Sequence, residues 1–97
     1  MKKMLNLGFA QIPIPMAITG RVVRAPDGGA VIGILHEIEG ELGRIYLVPR
    51  PGGLQIDADL VATGSESDIT LRRSFFDPIV RDVSTAIELS IASMRKE

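Results

Sequence analysis

The sequence predicts an α+β fold, in which five or six strands form a mainly antiparallel meander, open or curled toward a barrel, and one amphipathic helix follows at the C-terminus. Short segments of alternating apolar residues, separated by proline and glycine, occupy residues 5–73. Residues 77–95 instead repeat apolar side chains at helical spacing. The chain has 97 residues, which is enough for one hydrophobic core. We therefore expect residues 1–97 to form a single domain.

The first strand is predicted over residues 5–12, where Leu5, Leu7 and Phe9 alternate with smaller or polar residues. The segment that follows, residues 12–16, holds two prolines that cannot donate ladder hydrogen bonds. This segment is interpreted as an extended crossover that covers the core. The alternative is an exposed arm that docks on a partner.

Three further strands are expected in the middle of the chain, over residues 17–25, 30–38 and 42–48. The turn between the first two has proline followed by glycine at the positions that favour a tight reversal. Residues 30–38 are apolar on both faces, which is typical of a central strand covered on both sides. Pro51 and Gly52 fit the central pair of a type II turn into the next strand.

Residues 54–62 alternate between apolar and polar side chains, which predicts an antiparallel strand with one solvated face. Residues 69–73 are predicted to be a short last strand. Asp77 and Pro78 then give a helix start, because aspartate caps free amides and proline at the first helical position needs no donor. One helical stripe contains these residues: Ile79, Val80, Val83, Ala86, Ile87, Ser90, Ile91 and Met94.

Composition favours a homo-oligomer over a nucleic-acid-binding protein. The formal net charge is -1, and nucleic-acid binders usually carry a clear cationic excess. Only four residues are aromatic, so the core must be built from aliphatic side chains. A small aliphatic core gives little net stability, and association with a second copy is a common way to bury more surface.

No catalytic, cofactor or metal motif is found in the sequence. Cysteine is absent, which removes disulfides, thiolate nucleophiles and most zinc sites. The single histidine, His36, shares a predicted strand face with core residues, so it is interpreted as structural rather than as a general base. Two carboxylate pairs occur at strand spacing, Glu37 with Glu39 and Asp57 with Asp59. They are expected to lie on the solvent-facing side of the sheet rather than to bind a metal ion.

The amino terminus is similar in outline to a secretory signal, with lysines before an apolar stretch. Asn6, Gln11 and two prolines interrupt that stretch, and no apolar run is long enough to span a bilayer. These features predict a cytoplasmic protein without a membrane partner.

The cations between residues 4 and 94 are all arginine. A guanidinium presents a planar fork of donors that can grip a carboxylate or phosphate from two directions. In one interpretation, several arginines converge on a small anion such as a nucleotide; the candidates are Arg21, Arg24, Arg44, Arg72 and Arg73. In the other, they form surface ion pairs with Asp57, Asp59, Asp82 or Glu88, which contribute little.

The sequence therefore favours a non-catalytic binding or assembly module, which acts through contacts with its own copies and possible further proteins. Its expected interface lies on the helix or on the proline-containing segment, with these candidate residues: Ile12, Ile14, Met16, Ile87, Leu89 and Met94. A binder of a small anion is the first alternative, and a small hydrolytic enzyme that uses His36 is the second.

Overall fold

The computed structural model describes residues 2–94, which form six strands in two antiparallel sheets and one helix. A hairpin contains β1 (Lys2–Asn6) and β2 (Gln11–Pro15). A meander contains, in spatial order, β3 (Ile18–Arg24), β4 (Ala30–His36), β5 (Gly40–Arg50) and β6 (Gly53–Leu60). The helix α1 (Glu66–Met94) follows. The α+β class is confirmed, and the sheets do not close into a barrel.

The turns of the meander form where the sequence predicts them. Gly28 has a φ of 90°, and its N–H donates to the carbonyl of Ala25 at 3.1 Å. Gly52 has a φ of 87° in the turn that joins Arg50 to Gly53, as a type II turn requires. Glycine adopts this backbone conformation without strain because it has no Cβ.

The prediction of a single strand over residues 5–12 is wrong, because the chain reverses at Gly8 and Phe9. Gly8 has a φ of 92°, and the Leu7 N–H donates to the Ala10 carbonyl at 2.8 Å. A glycine with positive φ at the first central position is typical of a type II′ hairpin turn. The alternation across Leu5, Leu7 and Phe9 therefore ends in a turn that was not recognised.

The segment with two prolines is a strand, neither a crossover nor an exposed arm. Pro13 pairs with Met4 and Pro15 with Lys2, at positions where the strand does not need to donate toward β1. Ile12 and Ile14 alternate with the prolines and are only 2% exposed. These two side chains pack into the core and hold β2 against the rest of the protein.

A β-bulge in β5 sets which side chains face outward. The register with β4 shifts between Ile34 and Leu35, so Leu42 has no partner of its own. Leu42 and Gly43 are consecutive, yet both are buried. The extra residue brings Arg44 to the face opposite the helix.

The helix begins at Glu66, so the predicted strand over residues 69–73 and the predicted helix start at Asp77 are both wrong. The Ser65 N–H donates to the Asp68 carboxylate at 3.0 Å, and the Asp68 N–H donates to the Ser65 hydroxyl at 3.2 Å. This reciprocal pair is a capping box. Pro78 therefore lies inside the helix, and the predicted end at residue 95 lies outside the described residues.

The core lies between the inner face of the meander, the buried side of the β1–β2 hairpin and one stripe of α1. The buried helical residues are Phe76, Ile79, Val83 and Ile87, which confirms the centre of the predicted stripe and extends it backward. Ile32 and Ile34 of β4 are fully buried beneath them. The outward residues of β4 are only half-buried, so the expectation that this strand is covered on both faces is wrong for the protomer.

No helix within residues 2–94 is both long and apolar enough to cross a membrane.

Candidate functional site on the outer sheet face

The face of the four-stranded sheet that points away from α1 is called here the outer face. Its outward residues follow directly from the strand register. One row across the four strands contains Arg21, Gly33, Arg44 and Asp59. The next row contains Val23, Val31, Tyr46 and Asp57. Positive charge therefore lies on β3 and β5, and negative charge lies along the β6 edge.

The middle of the outer face is apolar. Val31 and Leu35 of β4 and Tyr46 of β5 are half-buried, although no other layer of the protomer covers them. Val23 on the neighbouring strand is 60% exposed. Apolar residues that are grouped and rimmed by polar ones are typical of an interaction surface.

Arg21 and Arg44 lie on either side of Gly33, two strands apart, which is about 10 Å in a β-sheet. A Cβ built on Gly33 would meet nothing closer than the Arg21 carbonyl oxygen at 4.0 Å. The missing side chain leaves a shallow concavity of about 340 Å³. Its lining consists of Arg21, Val23, Val31, Gly33, Leu35, Glu41 and Arg44.

Arg44 already has an ionic partner within the protomer. Its Nε lies 3.2 Å from Oε2 of Glu41, and both side chains are exposed. The hydrogen bond to the Glu41 carboxylate, with a smaller contribution from the Tyr46 hydroxyl, raises the pKa of Arg44 above its ordinary value. The site is therefore mixed in charge, with one guanidinium paired and the other open.

Arg21 has no ionic partner among residues 2–94, and neither has Asp59. Within that range the Arg44–Glu41 contact is the only side-chain ion pair. The expected surface pairs between arginines and Asp57, Asp59, Asp82 or Glu88 do not form in the described part of the chain. Arg21 and Asp59 thus occupy opposite ends of one row as unpaired, opposite charges.

The structure does not bring the other candidate arginines to this face. Arg24 donates from Nη2 to the Leu7 carbonyl at 2.8 Å, which ties β3 to the hairpin. Arg72 donates from Nη1 to the carbonyls of Val61 and Thr63, at 2.9 and 2.6 Å. Arg73 lies on the helix surface beside Asp77 and Arg81. Both residues lie on α1 rather than on the strand predicted over residues 69–73.

His36 makes structural contacts. Its Nδ1 accepts the backbone N–H groups of Ile38 and Glu39, each at 3.1 Å. Its ring stacks on Phe75 with the centroids 4.5 Å apart. Ile38, which falls in the strand predicted over residues 30–38, instead lies exposed in the turn. These contacts hold the β4–β5 turn and bind it to α1.

Three of the six expected interface residues are buried inside the protomer. Ile12, Ile14 and Ile87 are each 2% exposed and belong to the core, which corrects their placement at a subunit surface. Met16 and Leu89 are exposed, the latter by 67%. The side chain of Met94 lies outside the described part of the structure.

The carboxylates of the described residues do not form a metal site. No group of three or more histidine, aspartate or glutamate side chains in residues 2–94 could hold an ion. Asp57 instead accepts two contacts from the Gln55 amide, at 3.2 and 3.1 Å. Asp57 and Asp59 point to the outer face, where they rim the apolar centre.

Gly33 and Tyr46 contribute to the outer face but were not predicted as site residues. The only signal for them is the strand register, which depends on where each turn begins and on the bulge at Leu42. A bulge of this kind has no reliable sequence signature.

Comparison with known proteins finds no matching family, no matching curated protein and no matching solved structure.

Proposed function

We propose that this protein is a non-catalytic binding module that assembles with itself through the outer face of its four-stranded sheet. The observation that carries the proposal is the apolar centre of that face, formed by Val31, Leu35 and Tyr46. A sheet with one face covered by a helix usually presents polar residues on the other. Here the two central strands present mainly apolar side chains instead.

The edge strand β6 shows the contrast within the same sheet. Its outward residues are polar and exposed: Gln55, Asp57 and Asp59. The outward residues of β4 include no polar side chain between Val31 and Leu35. Burying those side chains against another layer would contribute about 25 cal/mol per Å² of apolar surface. A second layer on the outer face would complete the sandwich that the protomer leaves open.

The test is the molar mass of the purified protein by size exclusion with light scattering, over a range of micromolar concentrations. We expect a multimer for the unmodified chain and a monomer for Val31→Glu, because a carboxylate would be buried at the centre of the contact. Leu89→Glu serves as the matched control on the helix surface. Circular dichroism checks that both variants remain folded.

The control also tests the alternative interface. Leu89 lies beside Gln11 and Pro13 on a second shallow groove, between α1 and β2. Loss of the multimer in Leu89→Glu, but not in Val31→Glu, would move the interface to that groove. A wild-type protein that stays monomeric at every concentration up to about 200 μM would contradict self-assembly altogether.

A small anion is a second candidate ligand for the same face. Arg21 and Arg44 flank the space above Gly33, and Arg21 has no ionic partner within residues 2–94. Two guanidiniums about 10 Å apart could bracket a phosphate or a nucleotide.

Thermal shift with inorganic phosphate, mononucleotides and dinucleotides tests the second candidate. Binding to the native state should raise the melting temperature, and Arg21→Ala should abolish the rise. Arg73→Ala, on the helix surface, should retain it. An equal rise in all three proteins would point to a general salt effect and would contradict the proposed site.

A further inference from the structure

We propose that two copies pack outer face to outer face about a two-fold axis parallel to the strands, so that Arg21 of each protomer pairs with Asp59 of the partner subunit. This inference rests on the proposed self-assembly and specifies its geometry. It follows from three properties of the outer face: the positions of its charges, the sizes of its side chains and its symmetry.

The symmetry determines which strands meet. A two-fold axis that runs along the strands between β4 and β5 places β3 of one copy over β6 of the other, and β4 over β5. Each row then faces the same row of the second copy. Arg21 faces Asp59 of the partner subunit, and Gly33 faces Arg44 of the partner subunit.

Charge selects this axis over the alternative. A two-fold axis that lies in the interface and crosses the strands would place β3 over β3 and β6 over β6. Arg21 would then face β3 of the partner subunit instead of Asp59, and the acidic edge of β6 would face the same acidic edge. Like charges placed opposite each other across an interface disfavour association. The axis parallel to the strands instead pairs two guanidiniums, both unpaired in the protomer, with two free carboxylates.

Side-chain size agrees with the same pairing. Packed sheets lie about 10 Å apart, so a long side chain must face a short one. In the proposed dimer, Arg21 faces the shorter Asp59 of the partner subunit, and Gly33 faces the long Arg44 of the partner subunit. They also oppose Val31 with Tyr46 of the partner subunit. The open space above Gly33 would receive the Arg44 side chain of the second copy.

Burial of Arg44 does not leave an isolated charge in this arrangement. Glu41 already lies 3.2 Å from the guanidinium, and the two would enter the interface together. Burying a charge is costly, and an ion-pair partner in the same protomer offsets part of the desolvation penalty.

The size of the face limits the affinity. Four strands at about 4.8 Å spacing and seven residues at about 3.3 Å each give a footprint on the order of 450 Å² per copy. Both copies together would bury about 900 Å², which is less than the ~1,200 Å² of a standard specific interface and falls in the range of weak, transient contacts. We therefore expect a weak dimer in exchange with monomer.

A charge-swap cycle on the full chain tests the geometry, with the dimer dissociation constant measured by sedimentation velocity. Arg21→Asp and Asp59→Arg should each weaken the dimer about tenfold or more, because each places like charges opposite one another. The double variant R21D/D59R reverses both charges and should restore the dimer to within about threefold of wild type. Arg73→Asp carries the same charge change on the helix surface and should leave the dissociation constant unchanged.

The outcomes separate this geometry from self-assembly in general. If Val31→Glu abolishes the dimer but R21D/D59R fails to restore it, the outer face associates in another arrangement, and the proposed axis is wrong. If neither Val31→Glu nor the single charge variants change the mass, both the geometry and the proposed function fail. A dimer that forms only with phosphate present would assign Arg21 to anion binding and would also contradict the direct pair.

Discussion

The ring of Phe76 lies directly against the backbone of Gly43. A Cβ added at Gly43 would come within 2.7 Å of Cζ of Phe76, closer than real Cβ atoms approach other atoms. The absence of a side chain on β5 therefore lets the first half of α1 reach the sheet. This close approach sets the distance between the two layers of the protein.

Gly43→Ala should therefore destabilise the fold, by about 1–3 kcal/mol of unfolding free energy. The added methyl group would also meet the Asp59 carbonyl oxygen, which belongs to backbone and cannot move aside. Gly53→Ala is the matched control, since its added Cβ would meet only Cδ1 of Ile91, at an ordinary contact distance of 3.7 Å. Urea unfolding measures both, and equal stability of the two variants would show that Phe76 repacks without cost.

Removing the capping box should shorten the helix. Ser65→Ala deletes the hydroxyl that accepts the Asp68 N–H, and loss of a serine cap costs about 1 kcal/mol of unfolding free energy. Ser93→Ala, near the other end of α1, changes an exposed serine outside the capping box and should have a smaller effect. Far-UV circular dichroism with thermal unfolding measures the difference. Equal destabilisation of the two would place the helix start elsewhere.

The same box makes stability depend on acid pH. The backbone N–H of Ser65, followed by its hydroxyl, lowers the pKa of Asp68 in the folded protein. A lowered carboxyl pKa adds stability above the unfolded value, and this stability is lost as the pH falls below about 4. Asp68→Asn should thus show a weaker fall in melting temperature between pH 5 and pH 3. An unchanged acid profile would contradict the assignment.

Arg72 should prove structural rather than ligand-binding. Arg72→Ala removes the donor to the carbonyls of Val61 and Thr63, which join β6 to α1, and should cost about 1–3 kcal/mol of unfolding free energy. The adjacent Arg73→Ala removes an exposed arginine and should change stability by less than about 0.5 kcal/mol. Chemical denaturation distinguishes them. A rise in melting temperature with phosphate or nucleotides that is lost only in Arg72→Ala would instead indicate that Arg72 binds the anion.

His36→Ala should lower stability without a catalytic phenotype. The variant loses the acceptor for the Ile38 and Glu39 N–H groups and the stack on Phe75, which together contribute about 1–2 kcal/mol. His36→Asn retains an acceptor at a similar position and should recover part of the loss. A hydrolytic activity on ester or phosphoester substrates that disappears in His36→Ala would support the enzyme alternative.

Replacing Pro78, unlike the substitutions above, is expected to stabilise the folded protein. A proline inside a helix removes the hydrogen bond to the carbonyl of Ser74 and costs up to about 3 kcal/mol. Pro78→Ala should therefore raise the melting temperature, because its surroundings are exposed and need not rearrange. Asp77→Ala at the neighbouring exposed position controls for general helix propensity. A drop in stability for Pro78→Ala would show that the proline is needed for packing.

The meander was predictable from sequence because its signals are local. Turns at Gly28 and Gly52 need positive φ, and the alternation of residues 54–62 identifies β6 and its solvated face. The helix stripe through Ile79 and Val83 was equally clear. These elements agree with their own residue preferences, so tertiary contacts did not have to override them.

The errors arose where two local signals competed. Asp77 with Pro78 is a strong helix start, and it outweighed the capping box at Ser65 and Asp68. At the amino terminus, two prolines argued against a strand, although proline is tolerated where the ladder requires no donor. The outer face was missed because it depends on register and on the bulge at Leu42, which only long-range pairing determines.

The prolines of β2 also affect how this protein can associate. Pro13 and Pro15 are two residues apart, so their nitrogens lie along the same free margin of the hairpin, turned away from β1. A neighbouring chain that tried to lengthen the hairpin there would find no amide hydrogens at either position. Growth by strand addition is thereby blocked at that margin. Open-ended association is therefore disfavoured at that margin, which is compatible with the proposed contact through the outer face of the meander.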